Sequence, residues 1–232
     1  MLGTLTLIAA TASAQDTKSI EDATTIVDRP LATFVGRRLL VMPSQYLRAS
    51  DEGLNWLSHV HGERQYLDEV DHEIEFALNE RGITGKQWAF PEAIARSAKN
   101  NPTLTVDPYA LAAQWLRPPT PKRIDRLTEP FASQVRTLVA LQESARFALV
   151  PVEVRFVRER EGDVAKNAQQ APPADSTVTR GRAVVHLVLV DVRYSKVVAM
   201  ADVASDAFPT FTPALAASLG SHVADLVVDP LP

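Results

Sequence analysis

The sequence predicts a single α/β domain, a mixed β-sheet packed by helices, with C-terminal antiparallel strands followed by a helix. Three observations carry this. Phe147–Val157 and Arg182–Ser205 together read as three adjacent strands, rich in valine and bounded by polar turns. A proline-started amphipathic helix, Thr212–Val228, follows them. Upstream, the short apolar run Arg38–Pro43 precedes a second periodic segment, a strand-then-helix order typical of α/β units. A chain of 232 residues, 46% of them hydrophobic, can bury one core of ordinary size.

Element by element, Arg38–Pro43 is a buried strand closed by proline. Residues 44–62 hold Gly53 and Gly62 among scattered polar groups, so a long loop with one turn of helix is expected. Leu67, Val70, Ile74, Ala77 and Leu78 then recur at helical spacing, and Gly82 stands where a C-terminal capping glycine belongs. Gln87–Phe90 reads as a second strand, and Pro91 opens a short helix through Lys99. Asp107-Pro108 opens a further helical stretch, Tyr109–Leu116, stopped by Pro118-Pro119.

Residues 117–127 form a basic, proline-rich connection. Thr128 is placed to cap the next helix, with Pro130 in its first turn and Phe131, Val135, Leu138, Gln142 and Ala145 on one stripe. In the following strand Ala148, Val150, Val152, Val154 and Phe156 alternate toward the core, while Leu149, Pro151, Glu153, Arg155 and Val157 face away. Pro151 lacks a donor, which predicts an edge or a bulge there. Residues 158–181 read as a flexible loop. Ala183–Val192, apolar on both faces, should be a central strand; Arg193–Lys196 turns the chain and Val197–Ser205 returns antiparallel. In the last helix Thr212 caps, Pro213 is at the first position, and Leu215, Leu219, Val223, Leu226 and Val227 face inward.

The N-terminal residues 1–14, MLGTLTLIAATASA, read as an export signal ending near Ala14, with a leader segment over 15–36 and the domain over 37–232. No basic residue precedes the apolar run, and a buried first strand is the competing reading. The sequence has no cysteine, hence no disulfide, thiol nucleophile or lipid-anchoring cysteine. The expected location is therefore periplasmic or secreted, and not that of a lipoprotein. A net charge of −4 gives no general reason to expect nucleic acid as a partner. No segment is long and apolar enough to predict a transmembrane helix.

No catalytic constellation emerges, and no cofactor is predicted. His59, His61, Asp68, Asp71 and His72 crowd one region but lack the spacing of a metal site. Asp68, Glu69, Asp71, Glu73 and Glu75 read as the solvated face of a helix rather than a hydrolytic pair. Ser221, His222 and Asp225 are helical neighbours with no nucleophile elbow. His186, within a central strand, reads as a core histidine with a satisfied hydrogen bond. Candidate contact residues are Tyr46 and Trp56 in the first loop, Lys122, Arg123 and Arg126 in the basic connection with Arg117 just before them, and Tyr194 in the hairpin turn.

The segment LVLVDVRYSKVVAM resembles a recurring hairpin of the TolB N-terminal / CsgG / LpoB-like periplasmic superfamily. Leu189, Val190 and Asp191 match its Leu-Val-Asp run, and Val197 and Val198 match its returning strand. Arg38–Pro43 resembles the family's opening strand, Asp68–Gly82 its first helix, and Ala145–Val154 its helix-to-strand passage. The turn departs from the pattern, with Tyr194-Ser195 where the family usually places glycine. The resemblance implies a non-enzymatic envelope domain that contacts other envelope proteins and is compatible with self-association; it supplies no catalytic residues. The alternative is a module binding a glycan or small ligand, and a hydrolase comes third.

Overall fold

The computed structural model describes residues 31–101, 103, 106–119, 124, 126–142, 145–159 and 179–227. The predicted signal, residues 15–30 of the leader, and most of the 158–181 loop lie outside them. The architecture is a six-stranded mixed sheet with helices on both faces. Strands β1 (Leu39–Val41), β2 (Tyr46–Leu47), β3 (Trp88–Ala89), β4 (Phe147–Arg158), β5 (Gly181–Asp191) and β6 (Lys196–Ala204) alternate with helices α1 (Glu63–Glu80), α2 (Pro91–Lys99), α3 (Phe131–Ala140) and α4 (Ala214–Asp225). The strand order is β3-β1-β4-β5-β6, with β2 pairing β4 beyond the end of β1. β1 is parallel to both its neighbours, as β–α–β connections require, whereas β4, β5 and β6 are antiparallel.

Both faces of the sheet are covered. On the first face the α1 stripe predicted from spacing, Leu67, Val70, Ile74, Ala77 and Leu78, packs with the α4 stripe of Leu215, Leu219 and Val223. Gly220 lets these helices touch, since a Cβ there would lie 2.5 Å from the Glu73 carbonyl oxygen of α1. α1 ends as expected: Gly82 has φ +83°, its N–H donates to Asn79 O, and Ile83 N–H donates to Leu78 O. This is the paired C-terminal closure in which glycine takes the left-handed position. On the second face α2, α3 and the 111–116 segment contribute Ile94, Phe131, Val135, Leu138, Leu111 and Leu116.

β4 is a central strand, and it carries the irregularity that Pro151 predicts. Its register with β5 shifts between Pro151 and Glu153, which leaves Val152 as an extra residue. The shift changes which side chains face which layer. Phe147 and Leu149 join Val154 and Phe156 on the α1/α4 face, while Ala148, Val150 and Val152 lie on the α2/α3 face. The simple alternation expected for this strand therefore holds only within each half. Glu153 is not outward-facing as alternation suggested; it is fully buried.

Four further local expectations differ. Tyr109–Leu116 is not a helix: only Gln114–Leu116 makes a single 3-10 turn. Two of its central backbone N–H groups bond side chains instead, with Leu111 N–H donating to Gln45 Oε1 (2.8 Å) and Ala112 N–H to Gln134 Oε1 (2.8 Å). Residues 46–47, expected in a loop, form β2. Finally, Thr128 makes no side-chain cap for α3, which starts behind Pro130, and Pro213 occupies the cap position of α4 rather than its first helical turn.

Candidate functional site

Of the predicted contact residues, the structure brings Arg126 and Tyr194 together. The β5–β6 turn and the segment leading into α3 border a groove of about 510 Å³, lined by Arg126, Leu127, Ala132, Arg136, Tyr194 and Lys196. Arg126 and Tyr194 are both solvent-exposed, Tyr194 to 59%. Lys122 and Arg123 lie outside the described residues.

The turn that presents Tyr194 is held from several sides. Leu127 N–H donates to Ser195 O (2.9 Å), which ties the turn to the segment before α3. Tyr194 N–H donates to Asp191 Oδ1 (3.3 Å), and the Arg146 Nε–H donates to the same carboxylate at 3.0 Å. Burial pushes the Asp191 carboxyl up, but Arg146 and the turn's N–H groups outweigh it and hold the group below the usual range. The Arg146 guanidinium lies 5.0 Å from the Tyr194 ring centroid and that of Arg193 lies 5.8 Å from it. Ser195 adopts φ +51°, a left-handed conformation disfavoured for a non-glycine residue. An exposed aromatic ring so restrained loses little freedom on contact, which suits an anchoring role.

Two predicted contact residues are turned inward. Trp56 is 4% exposed and packs edge-on against Phe156 and Phe211. Loop position had suggested exposure, but the loop folds back onto the α1/α4 face. Tyr46 is half-buried in β2, and its hydroxyl donates to Leu111 O (2.8 Å). Arg117, grouped with the basic connection, also points inward. Its Nε–H donates to Glu153 Oε2 (2.6 Å) while its guanidinium lies 5.1 Å from the Tyr46 ring centroid.

Glu153 is the centre of a buried polar layer that spacing did not reveal. Arg48 Nε sits 3.0 Å from its other oxygen, and Arg48 and Arg117 side chains keep 35% and 36% exposure against 0% for the carboxylate. Across the sheet Glu153 pairs with His186, and His186 with Asp202. His186 Nδ1–H donates to Asp202 Oδ1 (2.6 Å), and Arg155 Nη2–H to Asp202 Oδ2 (2.7 Å). Burial acts to raise the Asp202 carboxyl, yet these two donors hold it below the usual range. The expected hydrogen bond of His186 is thus present at one ring nitrogen; Nε2 is buried and has no hydrogen-bond partner among the described residues.

The acidic run of α1 is not wholly a solvated face. Asp71 is buried, accepting from Ser44 N–H (2.9 and 3.0 Å), Ser44 Oγ–H (2.5 Å) and Arg64 Nη2–H (3.1 Å). It pins the segment after β1 to α1. The signal was present: Asp71 is four residues after Leu67 and three before Ile74, on the buried stripe. Burial pushes its carboxyl up to about 6, against the pull of Ser44 and Arg64. The folded state therefore holds this proton more tightly than the unfolded chain, where the value is about 3.8. Stability from this group is complete below about pH 4 and is lost as pH rises through about 6. Asp71→Asn should remove that slope: urea titrations from pH 4 to 7 are expected to show wild-type stability falling relative to the variant by up to about 3 kcal/mol. Parallel curves would refute the assignment.

The other sequence candidates are not assembled. Asp68 pairs with Arg64, and His59 stacks on Phe211. Among the described residues no group of three or more His, Asp or Glu side chains is placed to hold a metal ion. Ser221 and Asp225 both meet Arg81, while His222 Nδ1 faces Ala204 O (2.6 Å), so the three do not form a proton relay. Among the described residues no helix is long and apolar enough to cross a membrane.

No protein-family model and no curated protein matches the chain. Among solved structures, the chain is similar to the hypothetical protein CT253 from Chlamydia trachomatis, with 16% identity, 73% of each chain covered and a TM-score of 0.28. That likeness lends neither fold nor function, so the chain is characterised by its α/β architecture and by the groove at Tyr194.

Proposed function

We propose that this chain is a non-enzymatic adaptor of the cell envelope, exported to the periplasm, which works by contacting other envelope proteins through the Tyr194 groove. The observation that carries the reading is the anchored turn: an exposed tyrosine, 59% accessible, restrained by Asp191, Arg146 and Leu127 beside a concave surface. Interfaces concentrate their energy in such ordered aromatic anchors. The resemblance of Leu189–Asp191 and Val197–Val198 to the TolB N-terminal / CsgG / LpoB-like hairpin supports the envelope assignment, as do the features of residues 1–14. A glycan or small-ligand module is the competing reading; against it, Tyr194 is the single aromatic side chain among the described residues that line this groove.

A photo-crosslinking amino acid placed at position 194 tests the proposal in intact cells. Position 76 serves as control, because Phe76 is also exposed (55%) but lies on α1. The expected result is an envelope protein crosslinked from 194 and not from 76. Equal labelling from both positions, or none from 194, would overturn it.

A further inference from the structure

We infer that the groove takes an extended, acidic segment of a partner protein, with Tyr194 as the apolar anchor and Arg126 and Lys196 as its charge readers. The inference rests on the adaptor reading and specifies the partner's chemistry. Charge carries it. The described side chains that line the groove or touch Tyr194 include Arg126, Arg136, Arg146, Arg193 and Lys196, against the carboxylates Glu129 and Asp191. Five cations against two anions leave a local excess of three positive charges, on a chain whose net charge is −4.

The carboxylates are already engaged. Glu129 Oε1 accepts from Arg136 Nη2–H (3.0 Å), and Asp191 is held by Arg146. Arg126 and Lys196 both line the groove, one before α3 and one opening β6. Leu127 and Ala132 give the lining an apolar component. A volume of about 510 Å³ accommodates a few side chains of a peptide. Concavity favours a segment that enters over a flat lipid surface, and the chain's overall negative charge disfavours a nucleic acid. The neighbouring edge strand is a poorer docking place: β6 carries an extra residue, exposed Val198, that breaks the ladder with β5, and such bulges blunt edges.

The probe is a displayed library of random peptides selected on the full chain, with Arg126→Glu/Lys196→Glu as the comparison protein. Both side chains are exposed, and thermal melting checks that the variant folds. Selected peptides should be enriched in Asp and Glu around an apolar residue. Their synthetic forms should bind in fluorescence anisotropy, weaken as salt rises, and lose about tenfold or more in affinity on the double variant. Replacing their acids by Asn and Gln should have the same effect. Enrichment without acidic residues, unchanged affinity on the variant, no enrichment at all, or binding only to vesicles of anionic lipid or to an RNA oligonucleotide would each overturn the inference. The two proposals fail separately: a protein crosslinked from position 194 together with non-acidic selected peptides leaves the adaptor reading standing and removes this one.

Discussion

Replacing both Arg48 and Arg117 by Met is expected to destabilise the domain by about 3–5 kcal/mol, the range for stranding a buried charge. The reason is an asymmetry of burial. Glu153 is fully enclosed, while each arginine keeps about a third of its side chain in water (35% and 36%). Without them the carboxylate has no way out, because it sits on a central strand between β5 and the paired β1 and β2. The opposite removal, Glu153→Met, should cost less, since the guanidinium groups can swing their heads to solvent and leave their stems packed. Adding Glu153→Met to the double arginine variant should return stability to within about 1 kcal/mol of wild type or above, as for other buried ion groups made apolar together. Urea unfolding of the four proteins checks the order. A double arginine variant no less stable than Glu153→Met would show that the charge is not sealed from water.

Phe156→Ala should be of similar size, about 3–5 kcal/mol, as expected when a buried aromatic is truncated in a close-packed core. Phe156 is 1% exposed and is the hub of an aromatic cluster: its ring centroid lies 5.7 Å from Trp56, 5.6 Å from Tyr66 and 5.9 Å from Phe211. These rings come from three separate places, the first loop, α1 and the segment before α4, so the cavity cannot close by a local adjustment. Phe76→Ala on exposed α1 surface should stay within about 0.5 kcal/mol of wild type. Chemical denaturation of both variants gives the comparison. A loss below about 1 kcal/mol for Phe156→Ala would mean that the cluster does not hold the first loop.

Much of this fold could be read from periodicity, because periodicity reports burial. The α1 and α4 stripes, β5 as a central strand and the Pro151 irregularity all follow from which positions are apolar. What could not be read is where polar groups find partners across the chain. Tyr109–Leu116 has helix-like spacing, yet Gln45 and Gln134 capture its backbone N–H groups from far away in sequence. Trp56 sits in a segment with turn residues, and nothing local says that the loop returns to the core. Asp71 was legible from its place on the stripe, but acidic neighbours on both sides disguised it. At the candidate site, Arg126 and Tyr194 were individually visible; their meeting was not, because they stand 68 positions apart and tertiary contacts, the Leu127-to-Ser195 hydrogen bond among them, bring the segments together.

The extra residue in β4 has a consequence for how this sequence can change. The two halves of that strand are out of phase, like two texts read in different frames and joined at Val152. Deleting one residue there would put both halves in the same frame. The ladder with β5 would then run without a bulge, and Phe156 would stay on the face of the aromatic cluster with Phe147 and Leu149. Loops elsewhere in the chain can gain or lose residues one at a time. At the bulge this strand can lose one residue as well, whereas a one-residue change elsewhere in it would exchange inward and outward side chains. A comparison with a related chain that lacks the extra residue must place a gap at position 152, or it would match inward residues with outward ones along the rest of the strand.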